Sequence, residues 1–217
     1  MGTSEVCQEA VCKWARWLSD HGYFGSLLGS GGNVSVMDRQ AQRLFITPSG
    51  RSYRNMQPDD ICVVDADLNA SASSLTPSME TRMHMAIYTH RPDVDAVVHT
   101  HQLFASTLAL IAKPIPALFD EVVYEIGPTV DIIPYAVSGS RQLADQVAAC
   151  LGNHCYCYLI QNHGALSLGK DLPQAVKRAE ILEKTAHAYY LALASGLPVS
   201  TLPQAAVEHM LSLREKK

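Results

Sequence analysis

The sequence predicts a single α/β domain, residues 1–217, in which helices pack on both faces of a central mixed sheet. Three observations predict it. Segments of helical period and short apolar strand-like runs follow one another irregularly, not as strict strand–helix–strand units. No repeat, low-complexity tract or linker divides the chain. With 217 residues, 47% hydrophobic and 18% charged, the chain can bury a substantial core in one unit.

The elements follow in order. Residues 4–21 carry Val6, Ala10, Val11, Trp14, Ala15 and Leu18 on one helical side, and Gly22 stops the helix. A Gly/Ser-rich loop runs from Gly25 to Gly32. Short strands are expected at Asn33–Met37, Arg43–Thr47 and Ile61–Asp65, with Asp65–Leu68 as a hairpin tip. A helix over about residues 79–90 follows Pro77-Ser78 and ends before Arg91-Pro92. Ala96–His99 reads as a buried strand and residues 102–111 as a helix closed by Lys113-Pro114. Ile126–Pro134 reads as one or two strands and residues 139–151 as a helix. Two strands are expected at 155–161 and 165–169, a long helix at 172–195 and a short one at 203–213.

Composition excludes several function classes. The formal net charge of −4 argues against a nucleic-acid surface, which needs a basic stripe. A small anion needs only a local cluster of donors. No run reaches the roughly 18–20 uncharged apolar residues of a membrane span. Glu5 and Glu9 interrupt the apolar pattern of the N-terminus, so it reads as mature cytoplasmic sequence, not a signal peptide. The six cysteines are scattered and read as small buried hydrophobes of a reducing compartment. Cys155 and Cys157 lack the second pair that a zinc site of that kind would require.

The chemistry-bearing stretch is Val97-Val98-His99-Thr100-His101. Residues two apart on a strand share a face, so both imidazoles can reach one point where an apolar strand gives way to a helix. Alone, the pair has a second reading, as one core histidine and one capping or surface residue. A second apolar strand, Cys157 to Gln161, ends in Asn162-His163-Gly164. A third histidine there completes a three-imidazole set, and three protein ligands with an open position is the catalytic zinc pattern. Spacing alone leaves open whether the two stretches meet.

These residues, with three further segments in the same order, resemble the class II aldolase/adducin family. Gly31-Gly32-Asn33-Val34-Ser35 is similar to the family's G-N-x-S loop, and Ile46-Thr47-Pro48-Ser49-Gly50 to its I-T-P-[ST]-G turn. Pro77-Ser78-Met79-Glu80 with Arg91-Pro92-Asp93 is similar to its P-[ST]-S-E…R-P-D segment, and the H-T-H and N-H-G stretches complete the series. The resemblance covers about residues 5 to 195 and is closest in pattern to the family's fuculose-phosphate aldolases. It implies a largely antiparallel sheet and a metal centre of His99, His101, His163 and Glu80. It also implies Glu80 as the catalytic acid/base and a phosphate pocket of Gly32, Asn33, Thr47, Ser49, Gly50 and Ser78. The family's epimerase branch carries Asp at the position of Glu80, which argues against that branch.

There are departures. Met79 stands where those aldolases have a second serine. Asp120 stands where they place a proton-donating tyrosine, with Tyr124 four residues on as the other candidate, and the tail from His209 to Lys217 has no tyrosine. The resemblance implies retro-aldol cleavage of a ketose 1-phosphate to dihydroxyacetone phosphate and an aldehyde. The cofactor it implies is Zn2+, with Mn2+, Co2+ or Fe2+ compatible with the same donors. The assembly it implies is a C4 homotetramer with sites at subunit interfaces. Dehydration of methylthioribulose 1-phosphate and decarboxylation of a 3-oxo-tetronate 4-phosphate would use the same groups. A non-catalytic adducin-like head is the reading from a different class. A Rossmann dehydrogenase is excluded because no G-x-G-x-x-G joins a strand to a helix.

Overall fold

The computed structural model describes residues 2–25, 31–71 and 75–216. Seven strands form one sheet: β1 (Asn33–Asp38), β2 (Arg43–Ile46), β3 (Cys62–Val64), β4 (Ala96–Thr100), β5 (Asp131–Ile133), β6 (Cys157–Ile160) and β7 (Gly164–Gly169). Their order across the sheet is β3-β2-β1-β4-β7-β6-β5. All neighbours pair antiparallel except β5 and β6, which are parallel. The mixed, largely antiparallel sheet is therefore as expected.

Period-two alternation assigns side chains to the two faces. Leu44, Ile46, Val97, Tyr158, Ile160, Leu166 and Leu168 point to one core, completed by Met83 and Ile87 of α2 (Thr81–His90) and Leu143 and Val147 of α5 (Arg141–Cys150). Val34, Phe45, Ala96 and Val98 point the other way. There they meet α1 (Thr3–Asp20) through Val11, Ala15 and Leu18, and the start of α6 (Leu172–Ala194) through Ala175 and Ala179. Further along that face Cys157, Leu159 and Ala165 pack under α3 (Leu103–Leu110), α4 (Asp120–Glu125) and the middle of α6. Each such aliphatic side chain, fully buried, contributes about 1.5–3 kcal/mol of transfer free energy.

Element ends differ from the sequence reading by a residue or two, with two larger corrections. Helix α4 was not expected: Phe119 and Asp120 open it, and Val122 and Val123 bury its inner side. Ile126 closes that helix, so only Asp131–Ile133 of the expected strand region pairs as a strand; Val130 forms an isolated bridge with Ile115. The helix expected from 79 begins at Thr81, because Ser78–Glu80 is a turn in which Thr81 N–H donates to Ser78 O. Short 3-10 turns at Tyr53–Asn55, Pro58–Asp60 and Leu151–Asn153 were also not foreseen. The expected tip at Asp65–Leu68 is present, closed by Asp65 Oδ1 accepting from the N–H groups of Asp67 and Asn69. The last helix is α7 (Gln204–Glu215), packed on α4. Within the expected Gly25–Gly32 loop, residues 26–30 lie outside the described residues. No helix among the described residues is long and apolar enough to cross a membrane. No disulfide joins the six cysteines, and Cys12, Cys62, Cys155 and Cys157 are buried.

Candidate active site

The site forms at the end of β4 where the chain leaves the sheet. His99 is the fourth residue of β4 and shares the face of Val97, which is the α2 side. His101 follows one residue past the strand. His163 sits in the three-residue turn between the antiparallel β6 and β7, whose Asn162 adopts a left-handed conformation (φ 57°) that asparagine tolerates. The β4–β7 register places Thr100 opposite Ala165, which brings the turn beside the strand end. Gly164 is required there: a Cβ would lie 2.4 Å from the Thr100 carbonyl and 2.6 Å from Cδ2 of His101. Gly32 (φ 155°) is as restricted, since a Cβ would lie 2.4 Å from the His99 carbonyl.

The three imidazoles turn one nitrogen each toward a common point. Nε2 of His99 lies 3.2 Å from Nε2 of His163 and 3.1 Å from Nε2 of His101. His99 Nδ1 donates to the Ala165 carbonyl at 3.0 Å, which fixes the tautomer and leaves Nε2 with a bare lone pair. Burial pulls His101 down to about 3 and His163 to about 4, with His99 adding to both, so these rings are neutral. A cation at the point these nitrogens face would take the bare lone pair of His99 Nε2 together with those of its two neighbours. Tetrahedral zinc with Zn–N near 2.0–2.1 Å sets its nitrogens about 3.4 Å apart, close to the spacing here. The residues present therefore fit a divalent metal, and His99, His101 and His163 would hold it.

Glu80 caps the start of α2, is 4% exposed, and faces this point. Its Oε2 lies 3.2 Å from His99 Nε2 and its Oε1 3.3 Å from His163 Nε2. Burial raises its carboxyl, but the facing His99 and His163 with the Asn33 amide outweigh this and hold it below the ordinary value. Asn33 Nδ2 donates to Oε2 at 2.8 Å, while Oε1 is buried without a hydrogen-bond donor.

A cavity of about 190 Å³ opens over these groups, lined in part by Gly32, Asn33, Ser49, Gly50, Ser78 and Glu80. The two loops that supply the lining are tied together: Ser49 N–H donates to Thr76 O, Ser78 N–H donates to Thr47 O, and Pro48 bridges Pro77. Five of the six residues expected for a phosphate pocket thus share one wall. Thr47 does not reach it. It is fully buried behind the loop, its hydroxyl accepting from Val34 N–H and lying 3.2 Å from the Tyr53 hydroxyl, which donates to the Gly32 carbonyl. Met79, 64% exposed, stands at the rim. Asp120 and Tyr124 are both on α4, whose buried side joins the α3/α6 core, and neither lines the cavity.

Four participants escaped the sequence reading. Ser138, in the loop before α5, lines the cavity with Oγ 3.4 Å from His163 Nε2. His84, Tyr88 and Ser35 form a buried set behind Asn33. Spacing could have revealed His84, Tyr88 and Ser35: residues 80, 84 and 88 repeat at helical period, and Ser35 shares the strand face of Asn33.

Residues 9–190 match the family model "Class II Aldolase and Adducin N-terminal domain". An L-fuculose phosphate aldolase of Methanococcus maripaludis is 33% identical over 179 residues, covering 82% of this chain and 93% of the relative. A 5-methylthioribulose-1-phosphate/5-deoxyribulose-1-phosphate aldolase of Rhodospirillum rubrum is 36% identical, covering 84% and 80%. The solved structure of an L-fuculose 1-phosphate aldolase superposes with a TM-score of 0.90 at 31% identity, over 99% of both chains. The chain belongs to the class II aldolase and adducin family, and within it to the enzymes: it is an aldehyde-lyase. The non-catalytic adducin-like reading is set aside by the same relatives.

Proposed function

We propose that this aldolase cleaves the C3–C4 bond of a ketose 1-phosphate, releasing dihydroxyacetone phosphate and an aldehyde, with zinc at His99, His101 and His163. The observation that carries the reading is the placement of Glu80. A buried carboxylate faces two of the three converging imidazoles and borders the cavity that Ser49, Gly50 and Ser78 line. A divalent cation supplies Lewis-acid stabilisation of the negative charge that develops on the substrate oxygens. Three imidazoles suit zinc best, and manganese, cobalt or iron satisfies the same donors.

This chain's own residues do the rest. Hydroxyls of Ser49 and Ser78, with the backbone of Gly32 and Gly50, receive the phosphate; Thr47 supports that loop from behind. The Asn33 amide is engaged with Glu80, so its contribution to the phosphate pocket is secondary. Glu80 moves the proton at the carbon that becomes nucleophilic. It delivers a proton to that carbon after bond cleavage and removes it in the condensation direction. Asp120 and Tyr124 lie outside their own cavity, so the aldehyde-side donor they would supply acts across a subunit boundary, in the homotetramer the family resemblance implies. Exposed Leu103 and Leu110 on α3 and Leu191 on the adjoining α6 suit such an assembly.

The test is a substrate panel of fuculose 1-phosphate, 5-deoxyribulose 1-phosphate and methylthioribulose 1-phosphate, with products identified. Dihydroxyacetone phosphate plus aldehyde supports the reading; a diketo product or carbon dioxide replaces it with dehydration or decarboxylation. Glu80→Gln is expected to keep its metal and lose about 10²–10⁴-fold in kcat. His99→Ala is expected to lose the metal itself. Full activity in either variant overturns the assignment.

A further inference from the structure

Behind Glu80 a continuous line of side-chain hydrogen bonds runs between β1 and α2. Tyr88 Oη and Ser35 Oγ are 2.7 Å apart, Ser35 Oγ lies 2.6 Å from His84 Nδ1, His84 Nε2 meets Asn33 Oδ1, and Asn33 Nδ2 donates to Glu80 Oε2. His84 and Ser35 are fully buried; Tyr88 is 2% exposed and Asn33 4%. The antiparallel register sets Asn33 opposite His99 and Ser35 opposite Val97, so both β1 side chains share the α2 face of the sheet.

Donor bookkeeping gives the line one direction. An ionised Glu80 only accepts, so Asn33 must turn its NH₂ group to Oε2 and its carbonyl oxygen to His84. His84 Nε2 then carries the ring proton, and burial, which pulls this imidazole down to about 3, leaves Nδ1 as a bare acceptor. Ser35 must donate to Nδ1, and Tyr88 must donate to Ser35. Its phenol keeps that proton, since burial pushes it above the ordinary tyrosine value. Without the His84 N–H, the Asn33 amide could turn over and aim its carbonyl lone pairs at the carboxylate.

Resting on the aldolase reading above, we propose that His84 is a positioning residue of this site: through Asn33 it holds Oε2 of Glu80, and Oε1 is left as the oxygen that carries the substrate proton. In the half-reaction with dihydroxyacetone phosphate, the C–H bond of the hydroxymethyl carbon breaks and its proton goes to Oε1. The electron pair moves into the enediolate, with negative charge on the former carbonyl oxygen. Oε1 is free for this, because it is the carboxylate oxygen without a donor.

The experiment follows exchange of those C–H protons for deuterium in D₂O by proton NMR, using zinc-loaded full-length protein and dihydroxyacetone phosphate as the only substrate. His84→Phe is expected to slow kcat for exchange about tenfold or more, with KM within about twofold and one metal ion still bound per chain. Asn33→Ala should be at least as slow. The double variant should fall no more than about twofold below Asn33→Ala alone, because His84 acts through Asn33. His84→Gln, whose amide can still donate to Asn33, should recover most of the rate. Multiplying losses in the double variant, or no recovery in a folded His84→Gln, overturn the proposal. Should His84→Phe fail to fold, Ser35→Ala carries the test: a loss of a few-fold that vanishes in the Asn33→Ala background supports it, and one that persists overturns it. Wild-type protein that binds zinc yet exchanges no protons defeats the aldolase reading itself. Normal wild-type exchange with multiplying losses defeats only the role of His84.

Discussion

Strands β6 and β7 carry a buried polar cluster at each end, and the two differ in one respect. At the Cys155/Leu168 end, Arg91 is 1% exposed, yet Nη1 donates to the Cys155 carbonyl at 2.7 Å while Nε and Nη2 donate to both Asp93 oxygens at 2.8 Å. Arg178 donates to the carbonyls of Glu125 and Leu168 and stacks 3.6 Å from the Tyr156 ring centroid. At the Ile160/Gly164 end, three imidazole nitrogens face one another and Glu80 Oε1 and His163 Nδ1 have no hydrogen-bond partner. Both clusters are costly to bury. In the first, Arg91 and Arg178 spend their donors on carbonyls and on Asp93 and fasten the fold, whereas the second turns its acceptors toward one open point. Of these two ends, the one whose unspent acceptors converge on a single point is the functional one.

Single substitutions can break this contrast. Arg91→Met should have the largest effect on stability, about 1–3 kcal/mol in urea unfolding, because it removes the buried Arg91 donors and leaves Asp93 and the Cys155 carbonyl only a tyrosine hydroxyl each. It should leave metal content unchanged. His163→Ala should do the reverse, abolishing stoichiometric metal by elemental analysis while the metal-free unfolding midpoint stays near wild type. Metal loss in the arginine variant, or collapse of the metal-free histidine variant, would show that the two ends are one cooperative unit.

Asp93 sharpens the closed end. Its hydrogen bonds from Arg91 come first among the causes that hold its carboxyl down at about 2. A folded-state value below the unfolded one stabilises the fold above about pH 4, and that contribution is lost as pH falls toward 2. Asp93 is 43% exposed, so solvent screening limits Asp93→Asn to about 1 kcal/mol at pH 7. Urea unfolding of chelated protein should find a smaller difference at pH 3; an equal or larger one contradicts the assignment. Ser138→Ala should have the smallest effect at the open end, a KM change of no more than about tenfold at constant metal content. Loss of metal in that variant would make Ser138 part of the ligand set.

Much of the site was legible because its logic is local. Alternation put His99 and His101 on one face, and the glycine after His163 marked a close approach that the Gly164–His101 contact explains. What escaped was long-range. Glu80 and Asn33 are 47 residues apart and His84 and Asn33 are 51 apart, so no local pattern assigns the amide to the carboxylate rather than to a phosphate. Helix α4 escaped because six residues hold too little periodicity to announce themselves, and its inner side is apolar only where Val122 and Val123 meet the α3/α6 core.

By itself, then, the sequence determined the sheet with helices on both faces and the shared face of His99 and His101, because each is written in residues two to four apart, whereas His163 and Glu80 joined them through the resemblance to the family. Only the tertiary structure decided which of those groups spend their hydrogen bonds on one another. The β1–β4 register set Asn33 opposite His99, the packing of α2 on that face closed the line from Tyr88 to Glu80, and the turn of α4 carried Asp120 and Tyr124 away from the cavity they were expected to serve.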